Sequence, residues 1–368
     1  MAEVLPPFSI TYGPQIPEWL KDLKCSLAIT TYQAGKVVLI SAGNNESLSI
    51  LPRTFEKPMG MSIKDNRIVL ASQDQVIIFE GSSELAKGYP SKPDVYDMLY
   101  LPTATFHSGR VDIHDIDFGT EDIWAVNTSF SCLCRINGNY NFIPEWKPSF
   151  ISQLASEDRC HLNGLIMKNG RPWITTALAQ SNTPQGWRQN IIGGGIMMDV
   201  EQDKIVMEGL AMPHSPVYYK NEIYLALSAT GKIIKIQPGK WTYEEFANVQ
   251  GFCRGMDIYK DYLFVATSKL RQNSSTFRQL DIAQLSDKAA IHIYHIPTHA
   301  LIGSITFQKS VDEIYALKVL PDVRRPNIIN TDHPAFKLAL SIPGKTYWAK
   351  EIKENTNQNS PVQQKLNP

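Results

Sequence analysis

Three histidines and a glutamate are the residues of this sequence that could hold a metal ion. The chain has only eight histidines, and His114, His161 and His214 lie at or beside the start of short apolar stretches, as does Glu313. Neutral imidazoles combined with a carboxylate suit Zn, Fe or Cu better than Ca or Mg, which prefer oxygen ligands. These four residues predict a site for one divalent transition metal.

Three polar residues near the same stretch starts are predicted to be catalytic. His161 could move a proton near neutral pH. Arg254 could hold a carboxylate or phosphate through its forked guanidinium, and Asn163 could orient the substrate. The substrate is predicted to be small and polar or peptide-like. The reaction stays open among hydrolysis, elimination and oxidation.

Two long loops carry predicted substrate-binding residues. Trp187 and Arg188 lie in loop 177–194, where they could cap a planar or apolar ligand. Lys269 lies in loop 268–289. Loops longer than about 12–15 residues in compact domains are commonly lids or binding loops. The alternative is that Trp187 packs onto a neighbouring unit.

The segment before Asn163 contains a further predicted substrate-binding residue, Arg159. It could face the pocket, or it could pair with Glu157 or Asp158 as a structural contact. Cys160 is a weak candidate for a nucleophile beside His161, because adjacent residues on a strand point to opposite sides.

Compact catalytic signatures are missing from the sequence. The glycines at 193–195 open a strand rather than a helix, so they lack the helix N-terminus that binds phosphate, and we predict no nucleotide cofactor. The five cysteines are an odd number, and Cys132 and Cys134 are one residue apart, so we read the thiols as reduced and buried. The polar residues could also form a water-filled plug without catalytic use.

The elements that must position these residues are short strands. Apolar stretches bounded by Gly, Asn, Asp and Pro recur in groups of four, about 40–58 residues apart, which is typical of propeller blades. Five groups are complete. A sixth has only its first strand, at Glu313–Leu320, and its other three lie near the N-terminus, at Ser26–Tyr32, Lys36–Ser41 and Ser47–Leu51. We therefore predict a six-bladed all-β propeller whose last blade is closed by strands from both termini.

Aligning the first strands of the six groups brings the candidate residues to one mouth of the central channel. This placement depends on the strand register, because a slip of one residue turns the side chains away. The predicted ring consists of Met59, His114, Asn163, His214, Arg254 and Glu313.

The domain boundaries follow from the strand pattern. We predict an N-terminal extension packed on the ring at residues 1–24, the propeller at 25–321, and a C-terminal extension at 322–368. The tail is rich in Asn, Gln, Ser and Pro and is predicted to be disordered from about residue 354.

The charge balance excludes some classes of partner. Lys and Arg together number 36, as do Asp and Glu, so the formal net charge is zero. Binders of nucleic acid or of anionic membranes need excess positive charge, and we predict neither partner. No stretch reaches the roughly 18 apolar residues of a membrane span, and the first residues do not read as a secretory leader. The predicted location is cytoplasmic.

The sequence contains five unusual strings: Ser26–Lys36, His114–Ile116, Val126–Cys134, Arg159–Gly164 and Met212–Pro216. These strings resemble an uncharacterised bacterial family of propeller proteins, called conserved hypothetical proteins and found near or fused to tetratricopeptide and sulfotransferase modules. The resemblance covers roughly residues 20–321. It implies a bacterial propeller and carries no known activity or catalytic residue.

Two functions are compatible with this sequence. The first is a metal-dependent enzyme that acts in the axial pocket. The second is a non-catalytic scaffold that binds a protein or peptide through its top-face loops. Its contacts would be Trp187, Arg188, Lys269 and Arg271. A propeller fold alone cannot decide between them.

Overall fold

The structure is a computed structural model that describes residues 5–90, 92–270, 277 and 280–350. Within these residues, six sheets of four strands lie around a common axis, and two of them carry an additional outer strand. The chain is therefore a six-bladed β-propeller, as the grouping of its strands predicts. The tail from about residue 354, which is predicted to be disordered, lies outside the described residues.

The blades are numbered in chain order, and the blade that contains both ends of the ring is blade 6. The inner strands of successive blades contact one another and close the ring. From the axis outward, the strands are Met61–Lys64, Arg67–Ala71, Gln75–Ser82 and Met98–His107 in blade 1, and Ile113–Phe118, Ile123–Asn127, Cys132–Ile136 and Ile143–Trp146 in blade 2. They are Leu162–Lys168, Arg171–Ala177, Gly195–Asp199 and Lys204–Leu210 in blade 3, and Pro213–Tyr219, Glu222–Leu227, Lys232–Gln237 and Thr242–Asn248 in blade 4. They are Phe252–Tyr259, Tyr262–Ser268, Ala290–His295 and Ala300–Phe307 in blade 5, and Leu317–Pro321, Cys25–Thr31, Lys36–Ala42 and Leu48–Thr54 in blade 6.

Two-residue turns join the first and second strands of several blades. Asn169 and Gly170 form this turn in blade 3, and Lys220 and Asn221 form it in blade 4. All four residues have positive φ, between 47° and 74°. Such backbones are typical of the turns that match the twist of antiparallel strands, and they favour Asn and Gly. The side of the propeller with these turns therefore has little loop structure.

The second strand of each blade is apolar on both faces because each blade is covered by two neighbours. In blade 1, Val69 packs with residues of blade 2, whereas the adjacent Leu70 packs with residues of blade 6. A buried apolar cluster fills every gap between neighbouring blades. This double coverage explains why these strands read as continuous apolar runs rather than as alternating ones.

Blade 6 closes the ring by pairing the two ends of the chain. Cys25–Thr31 pairs antiparallel with Leu317–Pro321. The buried Thr30 hydroxyl donates to the Met59 carbonyl of blade 1 at 2.8 Å and accepts from the Ala316 amide at 2.9 Å. The closure predicted from the sequence is confirmed, and it leaves no open strand edge at the seam.

The segments outside the six four-stranded sheets pack against them. Ile10–Tyr12 adds a fifth strand to blade 5, and Pro326–Ile328 adds a parallel strand to blade 1. The amphipathic helix Ile16–Leu23 buries its apolar side in the cluster between blades 5 and 6. The remaining elements are the short helices Ser83–Lys87, Gly186–Gln189, Asp281–Gln284, Ile296–Thr298 and Pro334–Leu338, and the hairpin Ala339–Ile342 with Lys345–Trp348.

Candidate functional site

The central channel contains two neighbouring cavities at the end where the inner strands begin. The outer one, the mouth pocket, has a volume of about 780 Å³. The inner one, the inner chamber, has a volume of about 40 Å³. Asp158, His161, Trp187 and Glu313 line only the mouth pocket, Asn163 and His214 line only the inner chamber, and His114, Arg254 and Tyr315 line both.

Bulges in the inner strands direct the polar side chains into the channel. The pairing register shifts between Leu162 and Gly164 in blade 3, between His214 and Val217 in blade 4, and beside Arg254 in blade 5. A bulge places two residues opposite one, which breaks the strict alternation of faces. The adjacent residues His214 and Ser215 therefore both line the inner chamber.

His114 and His214 are held by the same local device. The residue two positions before each histidine, Asp112 or Met212, has a left-handed backbone with φ of 59° or 56°. Its carbonyl accepts from the histidine Nδ1, at 3.0 Å for His114 and 3.1 Å for His214. Because the proton lies on Nδ1, the Nε2 atom of each ring is left as an acceptor.

Burial keeps both of these imidazoles neutral. Desolvation and the nearby His161 lower the pKa of His114 to about 4, with a smaller effect of Arg254. Desolvation, followed by the charge of Arg254, lowers the pKa of His214 well below its ordinary value. Both residues are therefore weak bases at neutral pH.

His161 belongs to a carboxylate–imidazole pair. Its Nδ1 lies 3.0 Å from both carboxylate oxygens of Asp158, and Trp187 Nε1 donates to the same carboxylate at 2.8 Å. His161 has a positive φ of 53° directly before the inner strand of blade 3. The carboxylate therefore holds the imidazole in one orientation.

Aromatic contacts fix the His161 ring between two neighbours. Its centroid lies 4.7 Å from that of His114, edge to face, and 4.4 Å from that of Trp187. Trp187 is only 2% exposed, and the Arg188 guanidinium lies 4.2 Å from its ring centroid. Trp187 therefore forms a wall of the mouth pocket, with Arg188 over it.

A buried ion pair links the inner strand of blade 5 to the segment before the inner strand of blade 6. Arg254 Nη1 lies 2.8 Å from Glu313 Oε1. The Arg254 guanidinium also lies 4.9 Å from the ring of Tyr315, which in turn contacts the His114 ring at 5.6 Å. The two charges compensate each other, so Glu313 holds the residue that was predicted to orient the substrate.

The structure brings together some of the predicted site residues and separates others. His114, His161, Arg254 and Glu313 share the mouth pocket, together with Trp187 and Arg188. Asn163 and His214 lie deeper. Arg271, a predicted contact of the scaffold, lies outside the described residues.

Arg159 and Lys269 are not among the described residues that line either cavity. Arg159 is buried and pairs with Glu157 at 2.7 Å, and it donates to Ser152 and Asn182. It therefore ties the segment before blade 3 to loop 177–194, which is the structural alternative considered for it. Lys269 is exposed, and its backbone amide donates to the Asp312 carbonyl.

The predicted metal ligands do not form a compact ligand group. Within the described part of the chain, no group of three or more His, Cys, Asp and Glu side chains is placed to hold a metal ion. His214 lies in the inner chamber, and Glu313 is engaged by Arg254. The transition metal stays a prediction, and the arrangement favours hydrogen bonding over metal ligation.

Sequence reasoning missed two residues of the site. Asp158 was considered as a partner of Arg159, yet it supports His161 and Trp187. Tyr315 was not considered, although it lines both cavities. Its position two residues after Glu313, in the stretch predicted as a strand, is the signal that could have identified it, because residues two apart on a strand share a face. In the structure both residues precede the strand, which begins at Leu317.

A comparison with known families identifies the chain. Residues 14–329 match the model of a family described as a domain of unknown function, DUF4915. The chain belongs to this family. The expectation of an uncharacterised family is confirmed, whereas a bacterial source and an association with tetratricopeptide or sulfotransferase modules stay predictions.

Further comparisons concern the fold alone. No curated protein matches the chain. A chain in the crystal structure of a nidogen/laminin complex is similar, with a TM-score of 0.51 and 10% identity, over 80% of this DUF4915 chain and 98% of that chain. No helix among the described residues is long and apolar enough to cross a membrane.

Proposed function

We propose that this DUF4915 protein is an enzyme that acts on a small polar substrate in the mouth pocket, with His161 as its general base. The observation that carries the proposal is the Asp158 carboxylate, which accepts hydrogen bonds from both His161 and Trp187 at the wall of the pocket. A carboxylate held from two sides fixes both the orientation and the tautomer of the imidazole.

The geometry favours His161 over the other two histidines of the channel. Burial depresses the pKa values of His114 and His214, and each donates its Nδ1 proton to a backbone carbonyl rather than to a carboxylate. His161 Nε2 would take a proton from the substrate or from a water molecule. The resulting imidazolium would be stabilised by Asp158.

Arg188 and Arg254 supply hydrogen-bond donors around the substrate. Arg254 is held by Glu313, so it would act as a fixed hydrogen-bond donor more than as a free cation. Asn163 lies below, in the inner chamber, where it could contact the deeper end of a substrate. Hydrolysis, elimination and oxidation all remain compatible with a general base at this position.

The test is a conversion assay with a defined library of polar metabolites, followed by mass spectrometry. We expect the wild-type protein to convert at least one compound, and the substitution His161→Gln to lower kcat by at least about 100-fold, because general bases typically contribute 10²–10⁴-fold. Asp158→Asn should also lower kcat. The control is His292→Gln, which changes a histidine that lies in blade 5 and contacts Ser304 and Thr267. An unchanged kcat in His161→Gln would contradict the proposal.

The predicted metal is tested with the same preparation. Elemental analysis before and after treatment with a chelator would show whether Zn, Fe or Cu is bound in stoichiometric amount. Loss of that metal in both His114→Ala and His214→Ala would support the metal-dependent form of the enzyme. The acid–base proposal does not require it.

The second candidate function is a scaffold that binds a protein or peptide through the top-face loops. It is favoured by Arg188, which lies over Trp187 beside the mouth pocket. A protein that converts no compound, and that loses binding to an acidic peptide on Arg188→Ala but not on His161→Gln, would support the scaffold.

A further inference from the structure

The inner chamber contains two buried side chains with unsatisfied hydrogen-bonding atoms. Asn163 is 4% exposed and His214 is 5% exposed, and both line the chamber. Neither Asn163 Nδ2 nor His214 Nε2 has a hydrogen-bond partner among the described residues. Buried polar atoms without partners are costly, and in native structures they indicate water or a ligand.

The neighbours of these two residues determine what each atom can bind. Thr176 Oγ1 donates to Asn163 Oδ1 at 2.6 Å, so the Asn163 Nδ2 group is left as a donor. His214 Nδ1 donates to the Met212 carbonyl, so His214 Nε2 is left as an acceptor. A ligand in the chamber must therefore accept one hydrogen bond and donate another.

At the boundary between the chamber and the mouth pocket, an ion pair leaves another donor and another acceptor without partners in the part of the chain that the structure describes. Arg254 and Glu313 form an ion pair, yet Arg254 Nε and Glu313 Oε2 are buried and have no hydrogen-bond partner among the described residues. They add a second donor and a second acceptor. Asp115 and Lys318 also line the chamber, and their opposite charges interact with each other. Because both charged pairs are compensated and both histidines are neutral, the chamber favours a neutral ligand over an ion.

The size of the chamber limits what can enter. A buried water needs roughly 10–15 Å³ of such space, so a volume of about 40 Å³ holds about three waters or one small end group. The rest of a larger molecule would lie in the mouth pocket, next to His161. The chamber thus selects one end of the substrate, and the mouth pocket holds the part that reacts.

We propose that the inner chamber binds the neutral, hydroxylated end of the substrate, with a hydroxyl group donating to His214 Nε2 and accepting from Asn163 Nδ2. The substrate class is then a polyol or a sugar-like molecule. A carboxylate could not donate to His214, and an ammonium group could not accept from Asn163. As a substrate assignment, this inference rests on the proposed function of the mouth pocket.

The test compares three probes built on a three-carbon chain: glycerol, malonate and 1,3-diaminopropane. Both ends of glycerol are neutral hydroxyl groups, whereas both ends of the other two probes are anionic or cationic, so neither charged probe can offer a hydroxylated end to the chamber. Saturation-transfer NMR measures the Kd of each probe. We expect glycerol to bind with a Kd at least tenfold lower than the two charged probes. In protein with ¹⁵N-labelled histidine, glycerol should shift the Nε2 signal of His214 in a saturable manner.

Variants show whether binding occurs in the chamber. Asn163→Leu and His214→Leu should each raise the Kd for glycerol at least tenfold, whereas the matched control His292→Leu should change it less than twofold. If either chamber variant fails to fold, the His214 Nε2 shift in the wild-type protein decides. Tighter binding of malonate or of 1,3-diaminopropane than of glycerol, or no shift of His214 Nε2, overturns the proposal.

The experiment separates this inference from the proposed function. His161→Gln should abolish conversion yet leave the binding of glycerol unchanged. If no library compound is converted but glycerol still binds in the chamber, the proposed enzyme fails and the polyol site stands. If conversion depends on His161 but glycerol does not bind, only the polyol site is lost.

Discussion

At the scale of single residues, the three channel histidines differ in what surrounds Nδ1. His114 and His214 donate to backbone carbonyls, which are neutral acceptors, whereas His161 lies against a carboxylate. A buried carbonyl does not compensate fully for the cost of burying a charge, so His114 and His214 stay neutral. The same residue type therefore presents an acceptor atom at two positions and is oriented by a carboxylate at the third.

This difference predicts a pH dependence of stability. The pKa of His114 is about 4 in the folded protein and about 6.5 in the unfolded chain. Between these values the unfolded chain binds more protons, so the free energy of unfolding falls as the pH falls from 6.5 to 4. The shift corresponds to about 3 kcal/mol. Urea unfolding at pH 7 and at pH 4 measures the loss of free energy of unfolding. This loss should be smaller by about 3 kcal/mol in His114→Gln than in the wild-type protein.

The comparison with His114→Gln is needed because Asp115 changes the free energy of unfolding with pH in the opposite direction. Burial raises the pKa of Asp115 to about 6, so its contribution to stability increases as the pH falls below that value. Asp115 is present in both proteins, and its effect cancels to first order in the difference. Equal losses of stability in the wild type and in His114→Gln would contradict the assignment of His114 as a buried neutral imidazole.

At the scale of strands, close contact between inner strands depends on glycine. A Cβ atom on Gly255, in the inner strand of blade 5, would lie 2.6 Å from the Leu317 amide nitrogen of blade 6. A Cβ on Gly164 of blade 3 would lie 2.4 Å from the Pro216 ring of blade 4. Both glycines lie at or beside the bulges that direct polar residues into the channel. Glycine within a strand is typical of such close approach.

Gly255→Ala should therefore be destabilising although it adds only one methyl group. The nearest atom is backbone and cannot rotate away, so blades 5 and 6 must separate locally. We expect the free energy of unfolding to fall by about 1–3 kcal/mol, which is typical of overpacking. Urea unfolding measures the change.

Gly138→Ala is the matched control for this substitution. Nothing lies within 4 Å of the Cβ position at Gly138, and its φ is not in the left-handed region. The free energy of unfolding of Gly138→Ala should differ from that of the wild type by less than about 0.5 kcal/mol, as for most surface substitutions. A loss at Gly138 equal to that at Gly255 would contradict the role of close packing between blades.

The bulges explain which part of the site could not be predicted from the sequence. Aligning the starts of the first strands brought His114, Arg254 and Glu313 to one end of the channel, as the structure has them. It could not show that His214 and Ser215 line the same cavity, because a bulge breaks the alternation. Pro216 and Gly255 were visible in the sequence, and such residues are common at bulges.

At the scale of the whole molecule, the blade count and the ring closure were predictable because they depend on local patterns. Apolar runs and turn residues recur within about 60 residues, and the lack of one first strand at the N-terminus matches the extra strand near the C-terminus. The site depends on contacts that no local pattern encodes. Arg254 pairs with Glu313 at a distance of 59 residues in the sequence, and Trp187 reaches Asp158 across 29 residues.

Closure of the ring by both ends of the chain predicts how truncation affects the fold. A chain that ends at residue 314 lacks the strand Leu317–Pro321, so Cys25–Thr31 loses its inner partner and presents an open edge to the channel. Thr30 also loses its contact with the Ala316 amide. We expect this chain to lose cooperative thermal unfolding, measured by tryptophan fluorescence.

A chain that ends at residue 330 is the control for this truncation, because it keeps the closing strand. It lacks Phe336, Ala339 and Trp348, which pack on blade 1, so its Tm should fall while the transition stays cooperative. A peptide spanning residues 311–330, added to the shorter chain, should restore a cooperative transition, since closed sheets tolerate a break in the chain better than an unpaired strand. If both truncated chains unfold alike, the stability of the propeller does not depend on the shared blade.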